Sequence, residues 1–368
     1  MSTINEQFIA DAIQIRHQLH QIPELKFEER KTSEFIVATL RSYGYEIQEG
    51  VGKTGVVTTL DSGKPGRTIA FRADIDALPI SESTGVPYQS KHQGIMHACG
   101  HDGHTATLLL VARTLQQIKS QLRGKIKLIF QPAEEGGKGS TAMIQDGVLE
   151  DPAVDAIFGY HNWPGLPLNA VATRSGCILA GSGRFEIILQ GKRAHLADPK
   201  SAINPVVIGA GIVQKIDALS IPMTIVNILG FNSGDWKQGT SEQTEIVGCY
   251  FSEGEEPYLQ LKHSIESIVG AHGSIAFHEF QSPTINTTSE TELLFSAAHT
   301  IRVTNVQRLQ GCKMAAEDFS EYLKHVPGCY FLIGAGESTP SLHTPLYNFP
   351  DEILAPAAQL MVQIALAG

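Results

Sequence analysis

TIAFRADID (68–76) and KIKLIF (125–130), with HTATLLLVARTLQQI (104–118) between them, decide the fold class. The outer runs read as short buried strands. The middle run has helical length and one broad apolar face. Strand, helix and strand in this order form a crossover unit, and such units build an α/β sheet with much parallel pairing.

The same alternation extends outward. VVTTL (56–60), AIFGY (156–160) and GCYFLIGAG (328–336) read as further strands, and a terminal apolar helix closes the chain. Two helices precede them, marked by Phe8, Ile13, Ile15 and Leu19, then by Phe35, Ile36 and Leu40. Near residue 180 the pattern changes to strand GRFEIILQG (183–191), helix 204–219, strands 223–229 and 244–251, helix 256–270 and strand 274–280. That order is ferredoxin-like. It predicts an α+β domain over 180–285, inserted into an α/β catalytic domain formed by 1–179 and 286–368.

The chain has 368 residues, 42% hydrophobic and 18% charged, a globular mixture with room for two domains. A net charge of −10 argues against nucleic acid or an anionic membrane as partner. MSTINEQFIADAIQIRHQL (1–19) lacks the apolar core of a secretory signal. No apolar run approaches the roughly 20 residues of a membrane-spanning helix. Five scattered cysteines, an odd number, argue against a disulfide framework and for a reducing, cytoplasmic setting.

Chemistry concentrates where ligands bind in such sheets, at the carboxyl ends of strands. MHACGHDGH (96–104) packs Cys99, His101 and further histidines together, a donor set for a borderline-soft divalent ion. A polar loop capping the next helix would read similarly. FQPAEEGGKGS (130–140) ends a strand in Glu134 and Glu135. One acid of such a pair can bind a metal while its neighbour takes a proton from water. Alone, adjacent glutamates before glycines are ordinary solvated loop; their place after a buried strand favours the catalytic reading. His161 in FGYHNWP and His343 in SLHTPLYNFPD add enough ligands for two ions sharing one bridging group. Asp76 in FRADIDALP suits either strand-end capping or holding a ligand histidine by its free ring nitrogen. There is no G-x-S-x-G elbow. GVGKT (50–54) lacks the first glycine of a phosphate loop, since Ile47 stands there.

Together these strings resemble the aminoacylase/carboxypeptidase G-type metallopeptidases, in particular the amidohydrolase branch of hippurate hydrolases and auxin–amino-acid conjugate hydrolases. The matches run through RHQLHQIPE (16–24), FRADIDALP, MHACGHDGH, FQPAEEGG, GYHNWP, AAEDFSEY (315–322) and SLHTPLYNFPD. The resemblance implies a zinc-peptidase-like catalytic domain, a lid domain that dimerises, and two divalent ions: zinc, manganese, nickel or cobalt. It implies Cys99 as bridging ligand, with His101, Glu135, His161 and His343 as the others. Glu134 would be the general base, and His195 in GKRAHLADP the lid histidine that steadies the oxyanion; Asp76, read from its own motif, is counted with them among the catalytic-site residues. The implied substrate is a small N-acyl amino acid.

The lid departs from that family's pattern. In WKQGTSEQTEIVGCYF (236–251), Gln238 stands for the usual asparagine and Phe251 for the usual arginine. Without a guanidinium there is no bidentate carboxylate clamp, which predicts a substrate lacking a free α-carboxylate unless Arg174 or Arg184 compensates. The rival expectations are a dipeptidase or carboxypeptidase, a non-catalytic binding relative, and a thiol redox protein built on Cys99.

Overall fold

A computed structural model describes residues 4–195, 197–234 and 241–368, apart from the side chain of Glu279. The chain divides into two compact units. One comprises Met1–Ile178, Ile285–Gln310 and Glu321–Gly368; the other comprises Leu179–Thr284 and Gly311–Ser320. Residues 311–320, which the sequence pattern places in the catalytic domain, group with the second unit.

The first unit is built on an eight-stranded sheet. Its strands lie in the order Ile47–Val51, Gly55–Asp61, Lys125–Gln131, Thr68–Asp74, Ala156–Pro164, Gly328–Gly336, Val171–Thr173 and Val306–Arg308. The four middle strands run parallel. Gly55–Asp61 joins them antiparallel, so the sheet is mixed around a parallel centre. Every residue of Thr68–Asp74 is buried, as expected of a strand covered on both faces. Lys127 lies buried in the Lys125–Gln131 strand, where its ammonium donates to the carbonyls of Val148 (2.7 Å) and Pro152 (3.0 Å). Burial lowers its pKa to about 8.

The crossover helix, His101–Gln117, begins three residues earlier than its apolar periodicity suggests. Gly100 supplies the sharp entry at φ 91°, and a Cβ there would lie 2.6 Å from Asn162 Oδ1. This helix is buried nearly all round rather than along one face, because it packs against the sheet, Glu6–His20 and Leu354–Ala367. Its threonines tolerate that position by bonding to backbone. Thr107 donates to Gly103 O and Thr114 to Leu110 O, each at 2.8 Å.

The second unit has the strand order Gly273–Gln281, Gly181–Gln190, Gln243–Ser252 and Thr224–Ser233, antiparallel throughout. Helices Pro205–Asp217 and Glu255–Val269 supply Ile212, Ile216, Leu261 and Ile265 to a core with Phe185, Ile187, Leu189 and Ile246. The topology is the ferredoxin-like one read from the element order.

Leu109 is fully buried in the crossover helix. Leu109→Ala should lower unfolding free energy by about 2–5 kcal/mol, read as a shifted urea midpoint at unchanged slope.

Candidate metal centre

Carboxyl ends of the central strands and the start of the crossover helix deliver the polar side chains. Asp76 lies just beyond the strand Thr68–Asp74 and ties three of these pieces together. Its Oδ1 accepts the N–H of Glu134 and its Oδ2 the N–H of Glu135, both at 3.0 Å. Its backbone carbonyl faces His101 Nδ1 at 2.9 Å, with Oδ1 at 3.4 Å from the same nitrogen. The Asp76 carbonyl thus meets the histidine ring while its carboxylate caps the glutamate turn. With Nδ1 donating, His101 Nε2 is left as the lone-pair nitrogen.

Cys99 Sγ lies 3.3 Å from His161 Nε2 and 3.3 Å from His343 Nε2. His161 donates from Nδ1 to the Asn162 carbonyl at 2.7 Å, which turns its other nitrogen toward the sulfur. Cys99, His101 and His161 place ligand atoms within 4.8 Å of one another, and so do Cys99, Glu135 and His343. The two triads share the sulfur. His101, Glu134 and Glu135 meet the same limit.

Two acceptor sites in this cluster are buried and poorly satisfied: His101 Nε2 has no hydrogen bond, and Glu135 Oε1 has only the ion-pair contact of His343 Nε2 at 3.1 Å. An unmet buried acceptor costs about 1–3 kcal/mol. A thiol, imidazoles and a carboxylate around such acceptors fit borderline divalent ions. His343 is exposed and left-handed at φ 59°, an unfavourable conformation for a residue with a Cβ. Its N–H donates to the Ala98 carbonyl at 2.9 Å, which anchors the loop beside Cys99.

Asp74, His101 and His104 also lie close together. Here both His104 ring nitrogens are engaged, with Asp74 Oδ1 and Asn162 Oδ1 at 2.5 Å each. Arg72 Nη1 donates to Asp74 Oδ2 at 2.7 Å. This is an internal ion network that supports the ligands from below. Burial pushes the Asp74 carboxyl up, but His101, His104 and Arg72 hold it well below the usual carboxylate range. Asp102, next to His101, accepts from Arg16 (3.1 Å) and His20 (2.8 Å). Burial opposes the charge on His20, yet Asp102 and Glu82 raise it to about 9.

Burial, then the nearby glutamates, pushes the Cys99 thiol well above its ordinary value. Burial also works against a charged His101, but Asp74, Asp76 and Glu135 raise it to about 10. His161 is pushed far down by burial and by His104, so it stays neutral with its lone pair available.

His195 belongs to the second unit and is exposed. Its Nδ1 accepts the Ala197 N–H at 3.2 Å, which puts the ring proton on Nε2. Phe251 is half-buried in the Gln243–Ser252 strand, opposite Ser182 and Ile225. Arg184 is exposed on the neighbouring strand. Arg174, in the first unit, faces the carbonyls of Ser175 and Gln310 at 3.4 Å. Gln238 lies outside the described residues. Sequence reasoning grouped His104 with the candidate ligands, whereas here it supports them, and it missed Arg72, Asn162 and Tyr347. Only Asn162, adjacent to His161, carried a usable signal; its amide bonds Cys99 O (3.2 Å) and Tyr347 OH (2.5 Å).

Comparison with known proteins supplies the family. Residues 70–367 match the model of peptidase family M20/M25/M40. The chain belongs to that family. Within it, N-acetyl-L-cysteine deacetylase of Bacillus subtilis is 34% identical over 378 residues, covering 99% of this chain and 89% of that protein. Thermostable carboxypeptidase 1 of Saccharolobus solfataricus is 37% identical over 342 residues, covering 88% and 85%. Among solved structures, the YxeP protein of B. subtilis, described as a dinuclear metal binding peptidase of the M20 family, superposes with a TM-score of 0.86. It is 30% identical and 99% of each chain is covered. Members act as hydrolases of amide C–N bonds, and this chain is one of them.

While no cation is bound, burial and the surrounding carboxylates favour the thiol form of Cys99, and Asp74, Asp76 and Glu135 favour proton uptake at His101, whose Nε2 lone pair a cation would have to compete for. Metal uptake must displace those protons, so affinity should rise about tenfold per pH unit for each proton released. Calorimetric titration of zinc in buffers of different ionisation enthalpy measures the release directly. Affinity independent of pH would contradict the assignment.

Proposed function

We propose that this protein hydrolyses the amide bond of small N-acyl amino acids or related amides, with two divalent ions as cofactors. The observation that carries the reading is the pair of ligand triads sharing Cys99, with the Glu134 amide fixed beside them by Asp76. Cys99, His101 and His161 would hold one ion, and Cys99, Glu135 and His343 the other. The ions, zinc, manganese, nickel or cobalt, supply Lewis acidity toward the scissile carbonyl and toward water.

The remaining steps belong to side chains. Glu134 takes a proton from the water that attacks the acyl carbon. Asp76 keeps the Glu134 and Glu135 amides in register during that transfer. His195 offers its Nε2–H to the oxyanion. Glu134 then returns the proton to the nitrogen as the C–N bond breaks. Half-burial of Glu134 suits a base that must meet both water and substrate.

Phe251 stands where relatives in this branch use arginine, so we assign preference to amides without a free α-carboxylate. A second reading, carboxypeptidase action, is favoured by the likeness to the Saccharolobus enzyme. We assign the protein to the cytoplasm on its cysteine usage; no helix among the described residues is long and apolar enough to cross a membrane.

We also assign a homodimer formed through the second unit. Thr224–Ser233 is an edge strand whose Ile225, Leu229 and Phe231 are exposed, and Val207 is 68% exposed nearby in the same unit. Such apolar edges are normally covered.

Glu134→Gln should retain its metal while turnover falls by roughly three orders of magnitude. Acetyl, benzoyl and succinyl amino acids, each with its carboxyl-amidated analogue, identify the substrate when assayed with and without chelator. Preference for free-carboxylate peptides would favour the carboxypeptidase reading, and hydrolysis surviving full metal removal would sink both. Leu229→Glu should shift the protein to a monomer in light scattering; an unchanged mass would remove this edge from the interface.

A further inference from the structure

The turn that carries Glu134 leaves the Lys125–Gln131 strand through Pro132 and Ala133. Ala133 is left-handed, with φ 54°. A residue with a Cβ holds that conformation only where its surroundings impose it. The Ala133 N–H donates to Oε1 of Glu29 at 2.9 Å. The same oxygen accepts the N–H of Phe27, also at 2.9 Å, and Phe27 is left-handed too, with φ 61°. Oε2 accepts the hydroxyl of Thr54 at 2.5 Å. Glu29 is completely buried, so these donors stand in for water.

Three consecutive amides therefore end on two buried carboxylates, Ala133 on Glu29 and Glu134 and Glu135 on Asp76. The segment around Glu29 is itself fastened to the site. Lys26 Nζ reaches Glu135 O at 3.2 Å, and the Glu24 carbonyl accepts the Ala77 N–H, one residue past Asp76, at 2.8 Å. Gly137 and Gly139 donate back to Ala133 O at 3.2 and 3.1 Å. A Cβ on Gly139 would fall 1.6 Å from Pro132 O, so Gly139 packs directly against the start of the turn.

We infer that Glu29 is a positioning residue for Glu134: by accepting the Ala133 N–H it holds that residue left-handed and so aims the next side chain. This rests on Glu134 being the base. Without the acceptor, Ala133 is free to return to negative φ, which rotates the following peptide. A misplacement of ~1 Å at a reacting group can cost about 10²-fold in rate.

Two conservative variants separate the acceptor from the charge. E29Q keeps a carbonyl oxygen at the same reach and loses the charge. E29D keeps an ionisable carboxyl, whose pKa burial raises to about 7 in Glu29, and withdraws the oxygen by roughly one carbon–carbon bond, about 1.5 Å. For both, kcat, KM, metal content and hydrogen exchange of residues 131–137 are measured, the exchange on metal-free and metal-loaded protein, with E134Q as reference. E29D should lose roughly tenfold or more in kcat with KM within about twofold, unchanged metal content and faster exchange in the turn. E29Q should match the parent in all four. The reverse order, equal kcat in both variants, or a loss of kcat that merely tracks lost metal would overturn the inference. If E29D does not fold, E29Q decides: parental kcat and exchange support the tether, and a tenfold loss overturns it. Turnover surviving in E134Q would remove the base itself, while the exchange data still report on the Glu29 contact, so the two failures are distinguishable.

Discussion

A buried polar atom must find a partner, and the first unit is organised around that requirement. Asp76 meets it with two consecutive amides, Asp74 with an arginine and a histidine, and Asp102 with Arg16 and His20. Apart from Arg72 and Asp74, which are neighbours on one strand, these pairings join elements far apart in sequence, so the carboxylates act as rivets between strand ends, helix start and the N-terminal segment. The network is incomplete at His101 Nε2 beside the Cys99 sulfur, and also at Arg16 Nη2, Asp102 Oδ1 and both ring nitrogens of His97. Of these, His101 Nε2 is the one that lies among the candidate metal ligands. The network also sets their electronic state: the carboxylates that steady the histidines raise the cost of ionising Cys99 until a cation arrives.

The α/β class and the inserted unit were legible because buried strands and amphipathic helices write different periods into the sequence. What the period could not reveal was how many sides of the crossover helix are covered. Thr105, Thr107 and Thr114 look like a polar face, yet their hydroxyls turn back onto backbone carbonyls and the face is buried. Three-residue strands such as Val171–Thr173 and Val306–Arg308 are too short to carry any period. Residues 311–320 read as a continuation of the catalytic portion because their chemistry resembled it, and grouping by contact depends on distant partners that composition does not disclose.

At the candidate site, residue types with ligand chemistry were legible and their supports were not. Cys99, His101 and Glu135 announce themselves by crowding within short motifs. Glu29 does not, because a glutamate in KFEER reads as solvated surface until its oxygen is seen between two left-handed residues. Arg72 and Lys127 were similarly disguised as charges within strands. A central strand tolerates such a residue only when a carboxylate or a pair of carbonyls waits at the end of its side chain.

The parallel pairing of Gly328–Gly336 with Ala156–Pro164 has a consequence for how the chain matures. The second of these strands leaves the ribosome long before the first, with the whole ferredoxin-like unit made in between. Until then Ala156–Pro164, apolar and buried in the finished sheet, offers an open edge to any passing strand. Its correct neighbour arrives only near the end of synthesis, a non-local contact of the kind that folds slowly and leaves nascent chains aggregation-prone. A nascent chain stalled before residue 328 would therefore be a client for chaperones, even though the inserted unit could already have folded on its own strands.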